Sequence, residues 1–398
     1  MGTASELLRK AAGRRDLLLF ASVVFAAAFG FTLYETSFSN FVVQKIGVKP
    51  GQYGLLESLR EVPGFLTAFT MGLLACVAEP RLAAGALLIG GVGIGALSQA
   101  HAFPRIVVYS VFWSMGMHLW FTLSPSLTLK LARERAEGRR MGQISAVGSV
   151  AVLTAIATVR LVSRFAPYEG LFLASGGCLA VAALLCSQVS SKLGTPDRPK
   201  LLFRRRYALY YVLVFLDGCR RQVFGTFAMF ALVREFHTGL ARIADLRFLN
   251  TAAVMVAAPI AGLWIDRIGE RKLLCANYLV LSVLFLGYAF TPWVGVLYAL
   301  YFVDNVLFVF SMALTTYLKR IAPPEDVTPS LAMATTINHV AAVIVPLAGG
   351  YLWQAFGYRI PFLVGSGMVL LSLAAAFRIP EREPVSTLNV PQVPTRAR

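Results

Sequence analysis

Charge is scarce in this chain: Asp, Glu, Lys and Arg make up 14% of its 398 residues, against about 25% in an average soluble domain. A surface facing water could not be covered from that supply. Histidine is rarer still, with four in all, and no His, Cys or carboxylate spacing fits a metal site. The five cysteines, Cys76, Cys178, Cys186, Cys219 and Cys275, form no Cys-x-x-Cys pair and fall in or at the ends of apolar runs, which excludes a disulfide framework. Missing too are a nucleophile elbow, a metal spacing and a close acid pair suited to catalysis. No enzyme and no cofactor is therefore expected. The run GGVGIG, Gly90 to Gly95, imitates a nucleotide loop, but it lies inside an apolar stretch with no strand before it, and its small side chains suit close helix packing instead.

What is present is apolar length. Hydrophobic residues reach 57%, and runs of the roughly 20 residues a bilayer requires recur throughout. Twelve candidate spans follow: 17–43, 53–78, 82–100, 106–130, 142–164, 170–188, 207–233, 246–265, 273–290, 294–318, 330–355 and 359–378. The first run is too long for a signal-peptide core and follows a basic leader (Arg9, Lys10, Arg14, Arg15), so it reads as a retained span. The longest polar connection, SSKLGTPDRPKLLFRRR, follows the sixth span. The expected fold class is an all-α polytopic membrane protein with twelve transmembrane helices in two pseudo-symmetric six-helix bundles. Its units are 1–190, a linker 191–206, 207–380 and a tail 381–398.

The formal charge of +17 could point to nucleic acid, but its distribution says otherwise. Connections on the side of the N-terminus carry 25 Lys and Arg and the opposite loops carry 7. This bias sets orientation in a bilayer and places both termini in the cytoplasm; no nucleic-acid partner is expected. The halves also resemble each other at a constant offset. Gly72-Leu73-Leu74 matches Gly262-Leu263-Trp264, and Leu129-Lys130 matches Leu318-Lys319, as expected of a duplication.

The segment GLWIDRIGERK, Gly262 to Lys272, resembles the loop motif of the major facilitator superfamily, in which a glycine, an Asp-Arg pair and a Gly-x-Arg/Lys-Lys tail join the second and third helices of a half. The resemblance covers nearly the whole chain in span count. It implies two bundles that rock around a central cavity, and a cytoplasmic gate motif of Gly262, Asp266, Arg267, Gly269, Arg271 and Lys272. Asp266 would accept hydrogen bonds at the start of the fifth span, near Met141 and Gly142. The first half departs from the pattern: GLLACVAEPR has Cys76 where the aspartate belongs. The alternative is that Arg81, Arg267 and Arg271 serve orientation alone. Span five lacks the Gly-Pro signature of the family's drug antiporters.

Charges inside apolar spans cost at least about 2.5–3.5 kcal/mol each and so need a partner or a wet cavity. Span seven reads FLDGCRRQVFG, with Asp217 three and four residues from Arg220 and Arg221 and able to pair with either. One aspartate cannot neutralise both, so one guanidinium is left for another acid or for a ligand. At similar depth lie Asp304 and Asn305, His118 beside Trp113 and Trp120, and Asn338 with His339. The family resemblance places helices one, four, seven and ten around the cavity. Arg220, Arg221, His118, Trp120, Asn305 and Asn338 are the substrate-binding candidates, and Asp217, Asp304 and Glu35 the proton carriers. A second group, Glu35, Glu57, Arg60, Glu61 and Arg160, reads as an outer gate network or as permanent ion pairs.

The expected function is alternating-access transport of a small, anionic organic solute, driven by protons or another coupling ion, in an inner membrane and as a monomer. Two alternatives stay open. One is proton-coupled export of amphipathic or cationic compounds, with Glu35 and Asp304 as cation ligands and Trp113, Trp120 and Phe121 as an adaptable wall. The other is a sensor or assembly factor without turnover.

Overall fold

In hydrocarbon every backbone N–H and C=O must be paired within the segment, so apolar runs of this length become helices. In the computed structural model all regular structure among the described residues is helical. The structure describes residues 2–381 except 75, 133–135 and 196–202, with side chains from Arg14 onward except Ala68. Arg133, Arg135, Arg198, Lys200, part of the expected linker and the tail from 382 lie outside the described residues, as do the side chains of Arg9 and Lys10.

Twelve spans form two bundles. The first contains α1 (Gly2–Asn40, extended by a π-turn Phe41–Lys45), α2 (Pro50–Phe65 continuing as Thr67–Leu73), α3 (Glu79–Ala96), α4 (Phe103–Lys130), α5 (Glu137–Val162) and α6 (Tyr168–Ser187). The second contains α7 (Ala208–Arg234), α8 (Leu240–Ile268), α9 (Glu270–Phe290), α10 (Val294–Leu307, a 3₁₀ turn Phe308–Ser311, then Met312–Ile321), α11 (Pro324–Phe356) and α12 (Arg359–Ala376). Ten of these are long and apolar enough to cross a membrane. The other two are α2, interrupted at Leu66 after Pro63-Gly64, and α7, whose centre carries Asp217, Arg220 and Arg221. Prolines 50, 80, 104 and 324 occupy first turns, where the missing N–H is no loss. Gly269 (φ 84°) and Gly357 (φ 94°) end α8 and α11, a left-handed stop that favours glycine.

Small residues set the helix spacing. A Cβ on Gly91 would lie 2.9 Å from the Gly176 carbonyl oxygen, and one on Gly116 would lie 2.2 Å from that of Ala86. The glycine run of α3 is therefore a packing surface against α6 and α4.

Each bundle repeats one ionic arrangement at the end bearing the N-terminus, hereafter the basic end. Glu79 opens α3 and is fully buried; its carboxylate accepts from Ser126 Oγ and from Lys130 Nζ at 2.9 Å. Lys130 Nζ also donates to the Thr195 carbonyl at 2.8 Å. In the second bundle Glu270 opens α9, Arg320 Nε lies 3.6 Å from its carboxylate, and Arg320 Nη2 donates to the Pro380 carbonyl. Both basic side chains thus tie the chain leaving the sixth helix to the carboxylate at the start of the third. At the end of the linker, Arg204 and Arg206 pair with Asp326 in the first turn of α11.

The bundles meet at the opposite, far end. Asn40 Nδ2 donates to Thr238 O at 2.9 Å and Arg234 Nη1 to Val48 O at 2.7 Å. Along α2, Gly51 N donates to Gln354 Oε1 of α11, the Tyr53 ring stacks on Phe230 of α7 at 4.1 Å, and Gly54 crosses Gly350 of α11 so closely that a Cβ on Gly54 would fall 2.1 Å from Pro346 O. On the other flank the far-end parts of α5 and α8 share an apolar cluster of Ala155, Ile156, Val159, Leu240 and Ala244. Toward the basic end α5 and α8 part, and a Cβ on Gly142 or Gly262 would meet no atom within 4 Å.

Candidate functional site

The charges of span seven separate by helical phase. Arg220 is 1% exposed. Its Nε donates to Asp217 Oδ1 at 3.1 Å and its Nη1 stands 3.5 Å from Asp304 Oδ1 on α10. This cation is clamped between two carboxylates inside the second bundle, and Asp304 Oδ1 accepts no hydrogen bond. Arg221, one residue on, points elsewhere. It is accessible, its guanidinium lies 4.6 Å over the Phe308 ring, and no carboxylate among the described residues comes within 4.0 Å of it.

Phe308 also walls a cavity of about 620 Å³ between the bundles, lined on its polar side by Ser145 and Ser149 of α5, Asn250 and Thr251 of α8, and Asn305 of α10. Asn250 is buried with its Oδ1 unpaired. A cation on an aromatic face beside a hydrogen-bonding wall can hold an anion and orient the body attached to it.

The other expected substrate residues lie apart from this cavity. Trp120 is buried in the first bundle against Phe20, and Trp113 against Tyr34 and Gly93. Asn338 packs on Gly218, where an added Cβ would meet its Oδ1 at 2.5 Å. His118 meets His339 instead, ring centroids 5.0 Å apart, with Glu61 Oε2 3.2 Å from His339 Nδ1 and 3.9 Å from His118 Nε2.

The five outer residues do not share one network. Glu57 pairs with Arg60 at 2.8 Å within α2, and Arg60 sits 5.0 Å over the Trp113 ring while Ser114 Oγ donates to its carbonyl. Glu35 accepts from Arg247 Nη2 at 2.9 Å, and Arg160 Nε donates to Asp245 Oδ1 at 2.7 Å. Both of these pairs bridge the bundles. Asp245 and Arg247 were missing from the expected set because they lie at the edge of span eight, where a charge can reach water and calls for no partner. Of the gate motif, Gly269 and Arg271 are tied down, Gly269 as the stop of α8 and Arg271 on Glu381 at 3.1 Å. Asp266 and Arg267 are exposed. Among the described residues no His, Cys, Asp and Glu side chains group in a way that could hold a metal ion.

Two six-helix bundles closed at one end, with a polar cavity between them, define the fold class of a polytopic all-helical membrane protein. Residues 210–397 match the family model "Major Facilitator Superfamily". Multidrug resistance protein 2 of Bacillus subtilis is 27% identical over 119 residues, covering 30% of each chain; the chain spans about a third of the length of the curated relatives it matches. The nucleoside transporter NupG shares the fold with a TM-score of 0.76 at 12% identity, over 92% of this chain and 98% of that one. A bacterial homologue of the iron transporter ferroportin, in an inward-facing state, does so with 0.74 at 16%, over 93% and 99%. In the match over residues 210–397 the chain resembles the major facilitator superfamily, and its fold is that of the solved transporters named above, subfamily unassigned.

Proposed function

We propose that the protein moves a small organic anion across its membrane by alternating access, with Arg221 as the residue that meets the anionic group. One observation carries this reading: Arg220 is occupied by two carboxylates, whereas Arg221, at the middle of α7, is accessible, has no carboxylate within 4.0 Å among the described residues and lies on the ring that walls the cavity between the bundles. A guanidinium matches carboxylate or phosphate in a bidentate geometry. The serines, asparagines and threonine opposite would select the rest of the solute. The basic end faces the cytoplasm in this reading, from the excess of Lys and Arg there, so the structure corresponds to the state open inward. Protons are the proposed coupling ion, with Asp304 as the carboxylate of the second bundle able to accept one.

The test is thermal unfolding in detergent against a panel of organic anions, amphipathic cations and neutral sugars. A ligand at a hundredfold excess over Kd adds about 2.7 kcal/mol of stability. Anions are expected to stabilise the native chain, and Arg221→Gln is expected to abolish the effect. Stabilisation by cations that survives Arg221→Gln would overturn the reading and favour export of cationic compounds. The likeness to a multidrug resistance protein is what supports that second reading. Against it, Glu35 and Asp304, its expected cation ligands, both already face arginines.

A further inference from the structure

The contact between α2 and α11 ends at an arrangement that neither the anion site nor the ion pairs explain. His118 of α4 and Glu61 of α2 belong to the first bundle, and His339 of α11 to the second. The two imidazoles meet edge to face at 5.0 Å with the one carboxylate between them. Their side chains are 10%, 19% and 18% exposed for His118, Glu61 and His339. Gly64 lies beneath both rings: a Cβ there would fall 2.5 Å from His339 Cε1 and 2.6 Å from His118 Cε1. The backbone has been cleared to let the rings meet. His118 Nε2 is buried and has no hydrogen-bond partner.

The charges around the cluster are fixed by its neighbours. On α2, Arg60 is paired with Glu57. On α7, Arg221 lies over the Phe308 ring and senses the Glu61 charge only at long range, and Asp217 with Arg220 and Asp304 forms its own buried group. Each of α4 and α11 brings one histidine to the cluster and no other charge at this depth.

We propose that Glu61, His118 and His339 form a two-proton clasp between the bundles, which holds α11 against α2 and α4 until the second proton arrives. With neutral imidazoles, the His339 ring donates to Glu61. The first proton makes an imidazolium–carboxylate pair across the interface, which still holds. The second goes to the remaining imidazole and finds no carboxylate left to neutralise it. It places two imidazoliums about 5 Å apart at a site of low exposure, where like charges repel strongly, and separation of α11 relieves them. Acid thus opens the far end. The clasp rests on the alternating-access reading for its use in transport, whereas its existence can be tested without any substrate.

The experiment is a distance measurement by electron spin resonance in nanodiscs. Spin labels are placed at Ala102→Cys and Trp293→Cys, exposed far-end positions on the two bundles, in a chain whose native cysteines are replaced. The pH is lowered from about 8 to about 5, the range in which histidine changes charge. The expected result is a population at longer distance that grows as the pH falls. His118→Gln and His339→Gln, each left with one imidazole, are expected to lose that growth, and Glu61→Gln is expected to shift it to higher pH. Acid opening retained in both histidine variants would overturn the clasp, as would a wild-type distance that does not respond to pH, or a Glu61→Gln shift toward lower pH. Thermal unfolding of each variant separates loss of the fold from loss of the response. If anions fail to bind while the distances respond as described, the anion reading falls and the clasp stands.

Discussion

The two bundles are alike at their basic ends and unlike at their centres. Glu79 with Lys130 and Glu270 with Arg320 occupy equivalent places and hold equivalent pieces of chain. At mid-depth the second bundle buries an Asp217–Arg220–Asp304 triad on α7 and α10, whereas the first places a partly buried pair, Glu57 with Arg60, on α2. A duplicated scaffold has kept what frames each bundle and diversified what faces the centre. Structural duties repeat; candidate functional ones do not.

The largest way to break this comparison is Arg220→Met. It strands two carboxylates in a site where Arg220 is 1% exposed and should cost about 3–5 kcal/mol, seen as a large fall in Tm in detergent. Arg60→Met leaves one carboxylate, itself 13% exposed, and should cost less, about 1–3 kcal/mol. Equal losses would mean that the two centres do the same structural work.

The basic ends can be compared through Glu79→Gln and Glu270→Gln. Glu79 is buried and accepts from both Ser126 and Lys130, so its loss should cost about 1.5–3 kcal/mol. Glu270 stands 3.6 Å from Arg320, and its loss is expected to lower Tm less.

Glycines separate the fold from its motion. Gly116→Ala crowds Ala86 inside the first bundle and Gly54→Ala crowds Pro346 across the bundle interface; each should cost about 1–3 kcal/mol. Only Gly54→Ala should also raise the reactivity of a cysteine introduced at the far-end contact between the bundles toward a membrane-impermeant reagent. Smallest of all, Arg160→Gln and Arg247→Gln remove pairs that are a quarter to nearly half exposed, and each should change far-end closure by about 0.2–1 kcal/mol.

The twelve spans, the six-plus-six division and the offset between halves were legible because apolar length and repeated glycines are local signals. The interruptions at Leu66 and at Phe308–Ser311 were not, since a span that bends reads as apolar as one that runs straight. The excess arginine of FLDGCRR was legible as a problem of charge. Which of Arg220 and Arg221 would meet Asp304 was not, because both lie within one helical turn of Asp217 and the partner helix decides. His118, Glu61 and His339 sit on three helices far apart in sequence, and only Gly64, next to a proline in the same turn as Glu61, hinted at a crowded crossing. Arg160 and Glu35 were visible as charges, but their partners Asp245 and Arg247 were hidden in what looked like a solvated helix start.

The anchoring of the linker at both ends has a mechanical consequence. Thr195 is held to the first bundle by Lys130, and Arg204 is held to the second by Asp326, leaving only the eight residues 196–203 between the anchors. A stretch of that length can reach no more than about 30 Å when fully drawn out. Its length works as a leash: under the alternating-access proposal it would cap how far the two anchor points can move apart when the basic end opens.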